Sequence, residues 1–242
     1  MGSSVGVPAQ GAAAAVSVPV RPFALSGIVY GALLNHRPAL DALGDAVNQA
    51  PYKAPPVAPV LYQKPRNTLA AHGAAIVVPV GDDGVRELEL GASMGIVISR
   101  TACRISVETA LDHVAGYLAV ADLCLPHDSF YRPSLRFRAR DGFCPLGPAV
   151  TPREQIANPD ALGVQVFIDD QLVQQTTTGD RIRGVAQLLA DITDFMTLSP
   201  GDVVLLGVAH GAPRVKPGQQ SRIEIDGLAP LANRYVAGEG AR

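Results

Sequence analysis

The apolar residues of this chain come in short stretches bounded by turn residues, and that punctuation constrains the fold most. "SGIVYGALL" (26–34), "AAIVVPV" (74–80), "SMGIVIS" (93–99), "GYLAVADL" (116–123), "GVQVFID" (163–169), "DVVLLGV" (202–208) and "SRIEIDG" (221–227) have the length and the β-branched content of strands. Two of them follow Pro-Gly pairs, at Pro200-Gly201 and Pro217-Gly218. There Pro sets φ for a turn and Gly accepts a positive φ. With 24 Gly and 20 Pro, long helices have little room. Three helices are nevertheless predicted: 39–49, on the stripe Leu40, Leu43 and Val47; 107–115, after Ser106 as N-cap; and 183–195, where Val185, Leu188, Leu189, Ile192 and Phe195 keep helical period. "APYKAPPVAPVLYQKP" (50–65) is predicted to be an extended connector. The pattern is β-dominated, with helices at the periphery and no regular βαβ winding.

Of the 242 residues 48% are hydrophobic, enough for a sizeable core in one large domain or two small ones. A net charge of −2 and the lack of any Lys/Arg-rich run argue against nucleic acid and anionic membrane as partners. No apolar stretch reaches the roughly 18–20 residues that span a bilayer. The opening "MGSSVGVPAQGAAAAVSVPV" lacks a basic region before its Ala-rich patch and reads as a disordered tail rather than a signal peptide. Cys103, Cys124 and Cys144 are odd in number and have no CxxC spacing. That argues against both a disulfide framework and a zinc site, and makes a cytoplasmic location the default.

Chemistry has few places to sit. In "ELELGASMGIVIS" (87–99) strand alternation puts Glu87 and Glu89 on one face, which is how two carboxylates share a divalent cation. The densest polar stretch is "HDSFYRPSLRFRARDGFCPLGP" (127–148). On a strand, Arg136, Arg138 and Arg140 would share a face, either as a pocket for a polycarboxylate or as an exposed edge whose charges prevent aggregation. Lys64 and Arg66 in "QKPRNT" offer a second cationic lip. The five histidines (36, 72, 113, 127 and 210) show no tight ligand spacing and read as surface or hydrogen-bonded residues. Neither a GxSxG elbow nor a P-loop is present.

Taken together, "GYLAVAD", "FYRPSLRFRARDGFCPLGP", "LLADITDFMTLSPGDVVLLG" and "VKPGQQSRIEIDGLAPLAN" resemble the fumarylacetoacetate hydrolase family over roughly residues 24–236. "LNHRPALDAL", "QAPYKAPP" and "KPRNT" look like the N-terminal half, or separately encoded N-terminal subunit, of the family's bifunctional isomerase/decarboxylases of 4-hydroxyphenylacetate degradation. The fold this implies is a mixed α/β, β-rich roll or sandwich of mixed sheets with a few peripheral helices. A tail (1–22) would precede a single domain (23–242), with a lid and connector at 23–70 and a core at 71–236.

The resemblance also implies a chemistry. Active members hold Mg²⁺ or Mn²⁺ through a Glu-x-Glu pair and a later Asp, and the metal stabilises enolate charge. Such enzymes decarboxylate 5-oxopent-3-ene-1,2,5-tricarboxylate and isomerise 2-hydroxyhepta-2,4-diene-1,7-dioate. Here the metal Asp matches Asp122, but the glutamates fall at Gly91 and Ser93, so metal binding in this chain is expected to be absent or weak. Glu87 and Glu89 lie four residues upstream of those positions, about 13 Å along a strand. The acid/base dyad of some members falls at Ala39 and Ala42, with His36 at a tyrosine position. Lys64, Arg138, Arg140 and Asp141 match substrate-binding positions, Pro145 is kept, and the Thr of a "GTP" turn becomes Val208. Three readings follow: an oligomer with a metal-bearing sister subunit of the family acting on a di- or tricarboxylate, a non-catalytic scaffold for such a partner, and an acylpyruvate-type hydrolase.

Overall fold

The computed structural model describes residues 25–26, 28–81, 84–85, 87–127 and 135–238. The expected tail at 1–22 lies outside them. The elements that position the site are β1 (Val29–Leu33), β2 (Val60–Lys64), β3 (Ala75–Val78), β4 (Leu88–Ile98), β5 (Val114–Cys124), β6 (Thr151–Pro152), β7 (Gly163–Ile168), β8 (Gln171–Thr177), β9 (Val203–Leu205), β10 (Arg214–Val215), β11 (Gln220–Ile225) and β12 (Leu231–Ala237). Four short helices accompany them: α1 (Arg37–Asp41), α2 (Val107–Ala110), α3 (Leu135–Arg138) and α4 (Val185–Thr193).

Two mixed sheets carry the fold. A seven-stranded sheet runs β6-β5-β4-β9-β1-β2, with β10 also paired to β4. A five-stranded sheet runs β8-β7-β11-β12-β3. The β1–β9 and β12–β3 pairs are parallel, whereas the long β4–β5 pair is antiparallel. Leu90, Met94 and Ile96 of β4 and Tyr117 and Leu123 of β5 pack with Val166 and Ile223 of the second sheet and with Leu188, Leu189 and Ile192 of α4. On the opposite face, Val97 and Val120 pack with Cys144, Leu146 and Val203. Because β4 and β5 are covered on both sides, their sequences read as nearly continuous apolar runs rather than as alternation. The architecture is the expected β-rich sandwich with peripheral helices.

The turns follow the backbone argument: Gly201 and Gly218 adopt φ of +87° and +90° after their prolines. The helices differ from expectation in extent. The predicted 39–49 helix is cut after Asp41 and resumes as a 3-10 turn at Gly44–Asn48, because Gly44 takes φ +49°. The 107–115 helix ends early, since β-branched Val114 opens β5. Phe195 lies beyond the end of α4 and is 63% exposed, outside the stripe assigned to it. Residues 60–64 of the connector are not free chain but β2, antiparallel to β1.

At the end of β1 the chain is pinned by His36. Its Nδ1 accepts a hydrogen bond from the His210 backbone N–H at 3.1 Å, and residue 36 forms an isolated bridge with Arg181. Burial first and the Arg181 charge second hold its pKa at about 4, down from 6.5. A folded-state pKa below the unfolded one means that the unfolded chain takes up the proton first as pH falls. Stability from this group is therefore complete above pH 6.5 and is lost between pH 6.5 and 4. The expected slope in urea unfolding over that window is up to about 1.4 kcal/mol per pH unit, flattened in His36→Gln. An unchanged slope in the variant would contradict the assignment.

Candidate functional site

A cleft of about 340 Å³ opens between the end of β1, the start of β4, the end of β5 and the 208–214 loop. Its centre is Asp122, a charged residue near the end of an otherwise apolar strand and fully buried. Three groups hold it. Lys64 Nζ lies 2.7 Å from Oδ1, Arg138 Nη1 donates to Oδ2 at 3.1 Å, and the Tyr62 hydroxyl donates to Oδ2 as well. Burial alone would push the Asp122 carboxyl up, but the Lys64 and Arg138 charges hold it below the usual carboxylate range.

The sequence builds this cluster from distant segments. Lys64 ends β2, and its three ammonium hydrogens go to the carbonyl oxygens of Leu123, Arg138 and Phe143, at 2.7, 3.1 and 3.0 Å. With no exposed surface, Lys64 acts on the fold and on Asp122 rather than on a ligand. Tyr62 reaches Asp122 across β1 because its partner there is Gly31: a Cβ at residue 31 would lie 2.1 Å from the tyrosine ring. Burial, then the Asp122 charge, raise the Tyr62 pKa, so its hydroxyl stays a proton donor. The Arg138 guanidinium sits 4.9 Å over the same ring.

Arg136, Arg138 and Arg140 do not share a strand face. Residues 135–138 form α3, and on a helical turn positions two apart point about 200° from one another. Arg138 turns in to Asp122. Arg140 donates instead to the Arg136 carbonyl, and Asp141 accepts from Asn67 at 2.7 Å. Arg140 and Asp141 line a separate depression with Val77, Pro79 and Phe143, so the structure does not bring them to the cleft with Arg138. Tyr131 and Arg132 lie outside the described residues.

Cross-strand register places Gly91 directly opposite Asp122 and Ser93 opposite Val120. Glu87 is taken up by Lys216 at 2.9 Å and Arg214 at 3.8 Å. Glu89 faces the cleft, where its Oε2 accepts from Cys124 Sγ at 3.2 Å, and His127 lies beside them. Ala39, at the dyad position, contributes only a methyl group to the wall. His210 and Arg214 stand on the rim. Tyr62, Arg214, Cys124 and His127 were not visible in the sequence as site residues, and Glu89 was visible only as one of a pair with Glu87, which the structure separates. Tyr62, Cys124 and Arg214 come to the cleft through strand pairing, of β1 with β2, β4 with β5 and β10 with β4, which local sequence does not signal.

With this geometry in place, comparison with known proteins defines the class. Residues 28–236 match the fumarylacetoacetate (FAA) hydrolase C-terminal family, and the chain belongs to it. It is 37% identical over 212 residues to the 4-hydroxyphenylacetate degradation bifunctional isomerase/decarboxylase of Escherichia coli, covering 88% of this chain and 48% of that protein. The chain thus spans about half the length of that relative. It is 35% identical over 181 residues to the oxaloacetate tautomerase FAHD2, mitochondrial, of Oryza sativa subsp. japonica, covering 72% and 78%. Among solved structures, fumarylpyruvate hydrolase from Pseudomonas aeruginosa in complex with Mn²⁺ and pyruvate shares the fold, with TM-score 0.74, 22% identity and coverage of 98% and 100%.

The hard divalent cation of such relatives does not fit the residues present here. A Cβ on Gly91 would lie 2.7 Å from Val208 Cγ2 and 2.8 Å from the Asp122 carbonyl oxygen, so Val208 fills the space a glutamate would use. Ser93 Oγ accepts from the Gly207 N–H at 3.2 Å and supplies no charge. Asp122 already faces two cations. Because its ammonium serves three carbonyls and a buried carboxylate, Lys64→Met is expected to cost about 3–5 kcal/mol in urea denaturation. A change below about 0.5 kcal/mol would contradict the structural role given to Lys64.

Proposed function

We propose that this chain is one subunit of a 5-oxopent-3-ene-1,2,5-tricarboxylate decarboxylase / 2-hydroxyhepta-2,4-diene-1,7-dioate isomerase, with its own family metal position degenerate. A metal-bearing sister subunit of the same family supplies the Lewis acid in this reading. This chain contributes scaffold and a cationic cleft for a di- or tricarboxylate. The observation that carries the reading is the Gly91–Asp122 pair: where the metal carboxylates belong, Val208 fills the space and Lys64 and Arg138 neutralise the remaining aspartate.

The cleft supports carboxylate binding. Arg138 brings a guanidinium to its wall, and Arg214 and His210 stand at its rim. With Asp122 ionised between Lys64 and Arg138, the buried cluster keeps one net positive charge. Arg138 matches the family's substrate-binding lysine, but a guanidinium holds its proton at neutral pH and binds rather than shuttles. Arg140 and Asp141 enter the reading as supports of the segment that carries Arg138. Residues 23–242 are read as one domain, in which β1 and β2 of the expected 23–70 lid and connector join the seven-stranded sheet of the core. Three free thiols accord with a cytoplasmic setting, and among the described residues no helix is long and apolar enough to cross a membrane.

A second reading, a scaffold that only stabilises its partner, is favoured by Ala39, since the wall offers no acid/base group at the dyad position. Assay of both reactions separates the two, with the chain alone, the sister alone and the pair, each with and without Mg²⁺. The subunit reading expects no Mg²⁺-dependent turnover by the lone chain and a gain on pairing. In the pair, Arg214→Ala is expected to raise KM about tenfold, a loss of about 1.4 kcal/mol of binding. Metal-dependent turnover by the lone chain would overturn the degenerate-site reading. An unchanged KM in Arg214→Ala would favour the scaffold.

A further inference from the structure

We propose that Glu89, Cys124 and His127 form a second metal position on the cleft wall, separate from residues 91, 93 and 122, and that it takes Zn²⁺. The inference stands whether or not the chain works with a sister subunit.

Register creates the group. Glu89 and Cys124 are cross-strand partners at the open end of the β4–β5 pair, and His127, three residues beyond Cys124, lies beside them. Cys124 Sγ is 3.2 Å from Glu89 Oε2 and 4.0 Å from His127 Nδ1, and one ligand atom from each residue lies within 4.8 Å of the other two. A tetrahedral zinc with bonds of about 2.0–2.3 Å holds its ligand atoms about 3.3–3.6 Å apart. Side-chain adjustments of about 1 Å close the group onto one ion at those bond lengths.

The imidazole is already oriented. It stacks on Phe137 with ring centroids 5.2 Å apart and planes 12° apart. Its Nδ1 donates to the Leu125 carbonyl oxygen at 3.1 Å in the metal-free protein, so ligation through Nδ1 takes the other tautomer, with the ring proton on Nε2. The stacking holds the plane of the ring beside Cys124. Glu89 and His127 line the cleft, with Cys124 buried behind them.

The donor set chooses the metal. One sulfur, one imidazole nitrogen and one carboxylate suit borderline-soft Zn²⁺, whereas Mg²⁺ and Ca²⁺ require oxygen shells. Three protein ligands leave the fourth position toward the cleft for water or a ligand carboxylate. In the metal-free protein the Cys124 thiol donates its proton to Glu89. Zinc replaces that proton: the S–H bond breaks, a Zn–S bond forms, and one proton leaves to solvent for each ion bound. One thiolate and one carboxylate then balance the 2+ charge. Glu89 and Cys124 are cross-strand neighbours rather than a CxxC run, so sequence spacing does not signal the group.

Co²⁺ titration of the metal-stripped full chain tests the proposal. One Co²⁺ per chain is expected, with a thiolate-to-cobalt charge-transfer band in the near ultraviolet that Zn²⁺ abolishes by displacement. Cys103→Ser should leave the band intact, and Cys124→Ser should remove it. By competition with a chromophoric chelator, His127→Ala and Glu89→Gln should each weaken Zn²⁺ binding by more than about tenfold. Circular dichroism melts of each variant control for folding, and His127→Ala, at a partly exposed position, keeps the test open if Cys124→Ser destabilises the chain. A band that follows Cys103, the absence of any band, or Zn²⁺ affinity indifferent to His127→Ala and Glu89→Gln would overturn the proposal. Failure of the paired-subunit assay would leave these readouts untouched.

Discussion

The buried contact between Asp122, Lys64 and Arg138 ties the structure together. It joins β2, β5 and α3, and through the three carbonyls that Lys64 serves it also fixes the turn at Phe143. A carboxylate with no exposed surface is costly to bury unless its charge is matched. The two cations match it, and the Tyr62 hydroxyl takes a further lone pair. That charge balance lets an ionised residue sit among the apolar positions of β5, at the floor of the cleft.

The same contact decides what the cleft can bind. A carboxylate at this depth needs a cation to face. Here the surrounding residues meet that need. Gly91 leaves room that Val208 occupies, and Ser93 turns to the Gly207 amide. The cleft is consequently cationic at its centre, with anionic and sulfur donors displaced toward the outer end of the hairpin at Glu89 and Cys124. An anionic ligand at the centre and a soft cation at the edge are compatible occupants of such a field.

Much of the fold was legible because strand length, Pro-Gly turns and apolar runs are local signals. Both Pro-Gly glycines take the positive φ their turns require, and α4 forms on its 3.6-residue period. What local pattern missed was set by tertiary pairing. Val60–Lys64 reads as loop after four prolines, yet β1 recruits it as an edge strand. Arg136, Arg138 and Arg140 alternate as a strand would, yet Arg138 is drawn inward by Asp122 and the backbone winds into α3. Asp122 and Arg138 were legible by family pattern. Tyr62 was not, since its role depends on Gly31 lying across the sheet from it. Glu89 and Cys124 are 35 residues apart and meet only through register.

The central claim is that Asp122 is neutralised from within the protein and does not ligate a hard metal. Electron paramagnetic resonance of free Mn²⁺, titrated with the wild-type chain and with Asp122→Asn, tests it most directly. The account expects the two proteins to remove Mn²⁺ from solution alike. One Mn²⁺ bound per wild-type chain, more than about tenfold tighter than in Asp122→Asn, would contradict it.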